Sequence, residues 1–482
     1  MSNMFQNCNS LKEIKISNFY TNNVIDISYM FDSCHLMENL DISHFNTERV
    51  DNMVGLFRDC HNLKQLNIDN FKTDKIKNMS NMFKGCEKLE SLSFSNINTE
   101  QVYDMSYMLS NCTSLKELNT SKIKGNNVNN IAYMFSNCTE LTSLDLSNFS
   151  PKKAVNMSSM FRNCESLTDL KVSIFENNKA IDLSHMFENC KNLKNINLTK
   201  FDSPSVHDFS YMFAGCEQIT NLDLQSFITQ EAKNMNNMFD GCINLQNIKY
   251  SSKFDTNSVE SMSEMFKNCK SLSNLDFSSF AIMTVQNMSR MFYGCENLTS
   301  LNMDNFKLEK VKDMTSMFEG CEKVQNIHFP DSKTKNLQKM DNLFSECLSL
   351  KSLDLNFLNT SNIKSMNKIF YNCKSLESIS HINFDVKEVE EMIGMFQNCY
   401  SLTNLDLSVF NTIKVTNIDF MFSDCYNLKT LNLENFNTLL CNNFNNSFDN
   451  CTNLEVKLNP KYCENLYPYI PDYVNISNVT KN

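Results

Sequence analysis

Cysteine is the residue type in this sequence whose number and spacing could carry chemistry. Its 20 cysteines are enough for a disulfide framework, a set of metal sites or a row of nucleophiles. Eighteen of them follow a period of 26 residues, with one interval of 27 between Cys242 and Cys269. These eighteen are Cys8, Cys34, Cys60, Cys86, Cys112, Cys138, Cys164, Cys190, Cys216, Cys242, Cys269, Cys295, Cys321, Cys347, Cys373, Cys399, Cys425 and Cys451. A fixed period of this size indicates an array of about 18 copies of one unit.

The spacing argues against metal and disulfide chemistry. No C-x-x-C pair occurs, and a straight row of cysteines gives no tetrahedral ligand set, so we expect no metal site. Stacked neighbours would lie ~4.8 Å apart, whereas the Cβ atoms of a disulfide prefer ~3.8 Å. We therefore predict a column of buried free thiols that pack as small apolar groups, with metal ligation and disulfides as the alternatives. Cys441 takes the place of valine in its repeat, and Cys463 has no explanation from the sequence.

Other catalytic patterns are missing from the sequence. The seven histidines are scattered, and no HExxH, P-loop, GxSxG or GxGxxG motif occurs. We therefore predict no catalytic residues, no cofactor and no enzymatic activity.

The repeat that begins at Cys138 combines two hydrophobic periods. Leu144 and Leu146 alternate with polar residues, which predicts a short strand. From Ala154 to Cys164 the apolar residues are spaced by three and four, which predicts a short helix. Asn156 would be its N-cap. The residue before the column cysteine is Asn or Gly in 14 of 18 copies, which favours a left-handed residue at the helix end.

One strand in each repeat can pair only with the strands of neighbouring repeats. The sequence therefore predicts an α/β repeat solenoid over residues 1–458, with one short parallel strand and one short helix in each repeat. The repeated Phe and Met columns are interpreted as its core rather than as a binding row. The extra residue of the 27-residue interval should form a bulge near Ser251–Phe254. Residues 459–482 should form a C-terminal cap, because they are rich in Tyr and Pro.

Composition restricts the partners of the chain. Its 482 residues carry a net charge of −11, which argues against nucleic acid. No window reaches the ~18–20 apolar residues of a membrane span, so we expect no transmembrane segment. The opening residues MSNMFQNCNSLKEIKI have neither the charged start nor the apolar stretch of a signal peptide.

The polar residues beside the central Leu of each strand should point away from the core. In a stack they would make a flat ribbon of amide and carboxylate groups. This ribbon is interpreted either as a soluble surface with Asn–Asn hydrogen-bond ladders or as an extended face for a protein or glycan partner. If it binds, the mid-array members are the candidate binding residues: Asn195, Asn197, Asn221, Asp223, Asn247, Asn274 and Asp276.

Two segments resemble a known family. ISYMFDSCHLMENLDISHFNTERVDNM from Ile27, and MFSNCTELTSLDLSNFSPKKAVNMSSMF from Met134, are similar to the 26-residue repeat of bacterial surface proteins, a variant of the BspA-like leucine-rich repeat. The resemblance implies a right-handed leucine-rich-repeat solenoid and exposure at the cell surface or secretion. It also implies a non-enzymatic role in adhesion or in binding host or partner proteins. The second hypothesis is a cytoplasmic scaffold built on the same solenoid, and in either case we expect a monomer.

Overall fold

The computed structural model describes residues 1–172, 179–199, 201, 204–277, 280 and 282–478. The chain divides into two compact units, Met1–Asn234 with Met238–Asp255, and Met235–Asn237 with Thr256–Asn482. Within each unit, neighbouring repeats pair in parallel at a spacing of 26 residues, as the pairing of Ser143 with Asp169 and of Ser300 with Asn326 illustrates. Each unit is therefore a parallel β-solenoid of the leucine-rich-repeat type.

The described residues contain fourteen strands rather than one for each of eighteen repeats. They are β1 Ser91–Ser93, β2 Glu117–Asn119, β3 Ser143–Asp145, β4 Asp169–Lys171, β5 Asn221–Asp223, β6 Asn247–Lys249, β7 Ser300–Asn302, β8 Asn326–His328, β9 Ser352–Asp354, β10 Ser378–Ser380, β11 Asn404–Asp406, β12 Thr430–Leu433, β13 Glu455–Leu458 and β14 Asn475–Asn478. They form five parallel pairs, β1 with β2 through β9 with β10, and one four-stranded sheet from β11 to β14. In β3, Leu144 is buried between exposed Ser143 and Asp145, as the alternation predicts.

The predicted helix of each repeat is wrong. The turn tract, which we define as the eight residues ending at each column cysteine, is a run of turns such as Ile27–Cys34. Two residues of that tract, Tyr29 and Ser33, have φ values of 54° and 60°. A left-handed residue interrupts a right-handed helix, so two in each tract leave no room for one. The predicted left-handed residue before the cysteine is confirmed, and the one four positions earlier is new.

Hydrogen bonding gives the physical reason for these turns. The N–H groups of Tyr29 and Phe31 donate to Val54 and Leu56 of the next repeat at 2.8 and 3.0 Å. The N–H group of Cys34 instead closes a local turn onto the Phe31 carbonyl at 3.2 Å. Alternate N–H groups therefore bond to the adjacent repeat. An α-helix could not make these bonds, because its N–H groups donate to carbonyls of the same helix.

The predicted N-cap residues do cap backbone groups, although not those of a helix. Asn78 accepts a hydrogen bond from the Ser80 N–H group at 2.8 Å, and Asp104 accepts one from Ser106 at 2.9 Å. These side chains close Asx turns at the entry of each turn tract. The same two residues pair with each other as a parallel β-bridge.

The Phe and Met columns form the core. Phe161 is fully buried, and its ring stacks on Phe135 and Phe187 with centroids 5.7 and 5.5 Å apart. Met157 and Met160 are also fully buried. The interpretation of these columns as core is confirmed, and stacked rings of this kind stabilise a pair by ~0.5–1.5 kcal/mol beyond their burial.

The column cysteines are free thiols, and all except half-buried Cys8 are buried. Column thiols from Cys34 onward donate to a backbone carbonyl of an earlier repeat. The Cys164 Sγ, for example, donates to the Phe135 carbonyl at 3.1 Å, an oxygen that also accepts from the Cys138 N–H group at 3.2 Å. Burial raises the pKa of Cys164 to about 12. Cys463 follows the same rule in the tail, where its thiol donates to the Phe436 carbonyl at 3.3 Å.

A buried threonine column, which the sequence analysis did not single out, also joins neighbouring repeats. The Thr47 hydroxyl donates to the Lys72 carbonyl at 3.0 Å and accepts from the Lys72 N–H group at 2.7 Å. Thr73 makes the same two contacts with Asn98. One hydroxyl thus satisfies both backbone groups of a residue in the next repeat.

The extra residue of the 27-residue interval lies where it was predicted. Asp223 pairs with Lys249, 26 positions on, whereas the Thr229 hydroxyl donates to Asp255, also 26 positions on. The equivalent threonine bond elsewhere spans 25 positions, as for Thr47. The insertion is therefore confined between Lys249 and Asp255, inside the first unit.

The tail packs on the last repeat of the second unit. It contains the helix α1 Pro460–Cys463, a 3-10 helix Glu464–Tyr469 and strand β14, which pairs in parallel with β13. Leu466, Ile470 and Val474 are buried. These contacts agree with what a C-terminal cap requires, and its effect on stability stays a prediction.

Candidate functional site

The strand face consists of the outward side chains of the short strands and of the residues in register with them. Because the parallel ladder fixes the backbone, these side chains are presented at regular intervals of ~4.8 Å. In each three-residue strand the first residue is exposed and the central residue is buried or half-buried. In β3 the polar first and third residues both face outward.

Three of the predicted binding residues lie together on this face in the first unit. Asn221 and Asn247 are register partners, and the Asn247 amide donates to the Asn221 Oδ1 at 2.9 Å. Asp223 is half-buried and accepts from the Gln225 N–H group at 3.1 Å. These contacts show one rung of the expected Asn ladder, and they occupy oxygens that a partner would otherwise use.

The other four predicted residues are exposed and lie outside the strands. Asn197 accepts from both the N–H group and the hydroxyl of Thr199, and Asn195 precedes it on the same face of the first unit. Asn274 and Asp276 belong to the second unit. The seven predicted residues are therefore divided between the two units, and neither unit contains all of them.

A groove on the strand face of the first unit lies earlier in the chain than the predicted residues. Its volume is about 730 Å³. It is lined by Leu66, Asn67, Ile68, Asp69, Ser91, Leu92, Ser93, Lys116, Glu117, Leu118, Asn119, Thr142, Ser143 and Asp145. Ser91, Ser93 and Ser143 are the shortest outward side chains along these strands, so the floor is low where they lie. The serine positions could have indicated this groove from the sequence.

The groove is polar and carries both signs of charge. Lys116 lies 3.4 Å from the Glu140 carboxylate, an exposed pair that stabilises the fold by at most ~1 kcal/mol. Hydrogen bonds from the hydroxyl and N–H group of Ser147 lower the pKa of Asp145, which keeps that carboxylate charged. The lining contains no aromatic side chain, so polar contacts to a ligand would carry recognition.

The strand face of the second unit has a smaller cavity of different chemistry. Its volume is about 350 Å³, and its lining includes His328, Phe329, Pro330, Asp354 and Phe357. The Phe329 ring is half-buried and stacks on buried Phe357 with centroids 3.8 Å apart. This cavity therefore combines an aromatic wall with a carboxylate.

The described residues offer little for metal or nucleophile chemistry. Among them, no group of three His, Cys, Asp or Glu side chains lies close enough to hold a metal ion. Burial raises the pKa of Asp341, but its Oδ1 is occupied by the Asn367 N–H group at 2.8 Å and the Ser365 hydroxyl at 2.7 Å. In the part of the chain that the structure describes, no helix has both the length and the apolar character that crossing a membrane requires.

Solved structures of several leucine-rich repeat proteins resemble this chain. One from Bacteroides ovatus is 18% identical, covers 84% of this chain and 88% of its own, and gives a TM-score of 0.44. A leucine-rich cell surface protein from Faecalibacterium prausnitzii is 14% identical, with 84% of each chain covered and a TM-score of 0.34. The pneumococcal vaccine antigen PcpA is 14% identical, with 84% and 85% covered and a TM-score of 0.33. A search of the curated proteins found no match.

A family model matches almost the whole chain. Its matches cover residues 1–117, 90–195, 168–251, 221–332, 300–383 and 338–462, and its description is "Mycoplasma protein of unknown function, DUF285". DUF285 repeats are of the BspA type, so the resemblance found in the sequence is confirmed. The chain is a member of the DUF285 family of leucine-rich-repeat-like proteins.

Proposed function

We propose that this chain is a non-enzymatic protein-binding solenoid of the cell-surface type, and that it binds through its strand face. The observation that carries the proposal is the groove over Asn67–Asp145, where side chains fixed by the backbone ladder surround about 730 Å³ of open space. A rigid face loses little conformational entropy when a partner binds, which favours recognition by many weak polar contacts.

The location at the cell surface is the less direct part of the proposal. It is supported by the BspA-type repeats, and the similar protein from Faecalibacterium prausnitzii is a leucine-rich cell surface protein. The alternative is a cytoplasmic scaffold with the same binding face, which the buried reduced thiols favour because thiols persist in reducing compartments. Surface labelling of intact cells with an antibody distinguishes the two.

Filling the groove tests the binding face. The double variant Ser93→Arg, Ser143→Arg places two long side chains on the groove floor, while both positions remain outside the core. Binding is measured by surface plasmon resonance against a panel of purified serum and extracellular-matrix proteins. We expect a panel member to bind the wild-type chain and to bind this variant at least tenfold more weakly.

The matched control is Ser252→Arg, Ser361→Arg, which adds the same charge at exposed positions outside the groove. It should bind as the wild type does. An equal loss of affinity in both variants would show that the added charge, and not the groove, causes the loss. Full binding by the groove variant would refute the proposal.

A second variant tests the mid-array residues proposed from the sequence. Asn221→Lys, Asp223→Lys, Asp276→Lys reverses or adds charge at outward positions, and all three wild-type side chains are at least partly exposed. Loss of binding in this variant would support that part of the strand face. Retained binding here together with loss in the groove variant would place recognition in the groove.

A further inference from the structure

A cluster of lysines lies on the second unit, at a corner distinct from the strand face. The two segments Lys307–Asp313 and Lys333–Lys339 contain six lysines and two carboxylates. The basic corner, as we name these two segments, comprises Lys307, Lys310, Lys312, Lys333, Lys335 and Lys339, and all six side chains are exposed. Its net charge of +4 contrasts with the −11 of the whole chain. Composition alone does not explain this concentration of one sign.

In the part of the chain that the structure describes, most of these lysines lie outside ion-pair distance of a carboxylate. Among the described residues, the ion pair of the basic corner joins Lys339 to Asp313 at 3.8 Å. Lys312 donates to the Gln286 side chain at 2.8 Å, and Glu309 is half-buried. The ammonium groups of Lys307, Lys310, Lys333 and Lys335 are therefore available to an anion.

The backbone under the basic corner is fixed. The Leu308 N–H group donates to the Ser332 hydroxyl at 3.0 Å, and the Gln338 N–H group donates to the Lys312 carbonyl at 2.8 Å. The Asn336 amide reaches across to the Glu309 carbonyl at 2.6 Å. These bonds hold the two segments side by side as adjacent rungs ~4.8 Å apart.

The chemistry of the basic corner selects among polyanions. Its two segments contain no aromatic residue, whereas proteins that bind single-stranded nucleic acid stack bases on aromatic side chains. Its apolar residues, Leu308, Val311 and Leu337, are buried, so it has no apolar anchor for a lipid surface. Lysine ammonium groups on neighbouring rungs suit a flexible linear chain with closely spaced sulfate or carboxylate groups.

We infer that the basic corner binds a linear anionic polysaccharide. The site is separate from the proposed protein-binding face. Its ligand is negatively charged, although the chain as a whole is also negatively charged. At physiological salt the Debye length is ~8 Å, so charges elsewhere on the chain are largely screened at this corner.

The full chain and a sulfated polysaccharide, heparin, provide the test. Isothermal titration calorimetry at low salt should show binding by the wild type, and binding should weaken steeply as salt is raised. The variant Lys310→Gln, Lys333→Gln, Lys335→Gln should bind heparin at least tenfold more weakly, because it removes three unpaired charges without touching a buried residue.

The control variant Lys12→Gln, Lys351→Gln, Lys429→Gln makes the same change in net charge at exposed positions elsewhere and should stay within twofold of the wild type. Equal weakening of the two variants, or absence of wild-type binding at low salt, would overturn the inference. Tighter binding of single-stranded oligothymidylate or of anionic phospholipid vesicles than of heparin would also overturn it, in favour of those partners.

Discussion

The thiol column and the strand face are both built by the same 26-residue period, yet they differ in what varies along the chain. In the column, Cys164 and Cys190 repeat the same contact with a phenylalanine carbonyl. On the strand face, the outward positions change from Ser143 to Asp169 between adjacent paired strands. The same residue type is required where each side chain bonds to the neighbouring repeat in the stack. Variation is tolerated where side chains face water, and that is where a partner could be recognised.

High pH should affect the thiol column most. The folded pKa of Cys164, Cys295 and Cys373 is about 12, above the ordinary value of 9.0. A raised folded pKa means that the native state keeps protons which the unfolded state releases, so stability is intact below pH ~9 and falls between pH 9 and 12. Each thiol removes ~1.4 kcal/mol per pH unit in that window, and many titrate together.

Circular dichroism against pH should therefore show cooperative unfolding above pH 9. At pH 7.5, iodoacetamide should modify half-buried Cys8 before the other cysteines. Rapid modification of most column thiols in the folded chain would show that the column is open to solvent, and would remove the contrast with the strand face.

Removing the tail should have the next largest effect, because it exposes the end of the column interior. A chain that ends at Asn459 loses the burial of Leu466, Ile470 and Val474. At ~1.5–3 kcal/mol for each of the three side chains, the loss is about 5–9 kcal/mol. Chemical denaturation measures it, and light scattering should show self-association. An unchanged denaturation midpoint and a monomeric chain would refute the role as a cap.

A phenylalanine truncation tests the core column whose carbonyls accept the thiol hydrogen bonds. Phe161→Ala should destabilise the first unit by ~3–5 kcal/mol, since it leaves a cavity between two stacked rings. The reference substitution is Leu144→Ala on strand β3, whose side chain is also buried. Equal losses would indicate that ring stacking adds nothing to burial at this site. Urea denaturation supplies both values.

Two glycines of the turn tract form a matched pair. Gly215 and Gly241 have φ values of 69° and 71°, but a Cβ on Gly215 would overlap the Asn189 Oδ1, whereas one on Gly241 would lie 3.7 Å from the nearest atoms, an ordinary contact distance. Both alanine variants should lose ~1 kcal/mol from the left-handed backbone, and Gly215→Ala should lose ~1 kcal/mol more. Thermal denaturation should rank them in that order, and the reverse order would contradict the close approach of Asn189.

The smallest effect should come from the strand face itself. Asn247→Ala removes an exposed hydrogen bond to Asn221, so the free energy of unfolding should change by less than ~0.5 kcal/mol. A loss above ~1 kcal/mol would show that the polar ladder stabilises the fold, and that its residues are retained for packing rather than for recognition.

The sequence predicted the period, the core columns and the parallel pairing, because each repeats a residue type in register. It did not predict the turns. The spacing of Met157, Met160 and Phe161 by three and one fits a helix as well as two successive turns, since the side-chain pattern does not show where the N–H groups bond. The left-handed conformation of Tyr107, with φ of 56°, could not be predicted from its residue type, because tyrosine rarely adopts it.

The candidate site was predicted only in its general location. The outward columns were identified from the alternation, but depth depends on relative side-chain length across three rungs, as at Ser93 between Asn67 and Asn119. The threonine column was missed because a polar residue such as Thr47 is expected to be exposed. Its burial follows from the hydrogen bonds of its hydroxyl to two backbone groups, which the sequence does not show. A single continuous solenoid over residues 1–458 stays a prediction.

The one-way hydrogen bonds of the turn tract give each unit an electrical polarity. In tract after tract, N–H groups such as those of Tyr29 and Phe31 donate towards higher residue numbers, so their peptide dipoles point the same way and add, as they do along a helix. The carbonyl end of such a stack is partially negative and the N–H end partially positive. At the last tract the Tyr473 hydroxyl accepts from the Asn450 N–H group at 3.0 Å, which places an oxygen against the positive pole and lowers the field that the stack would otherwise project into solvent.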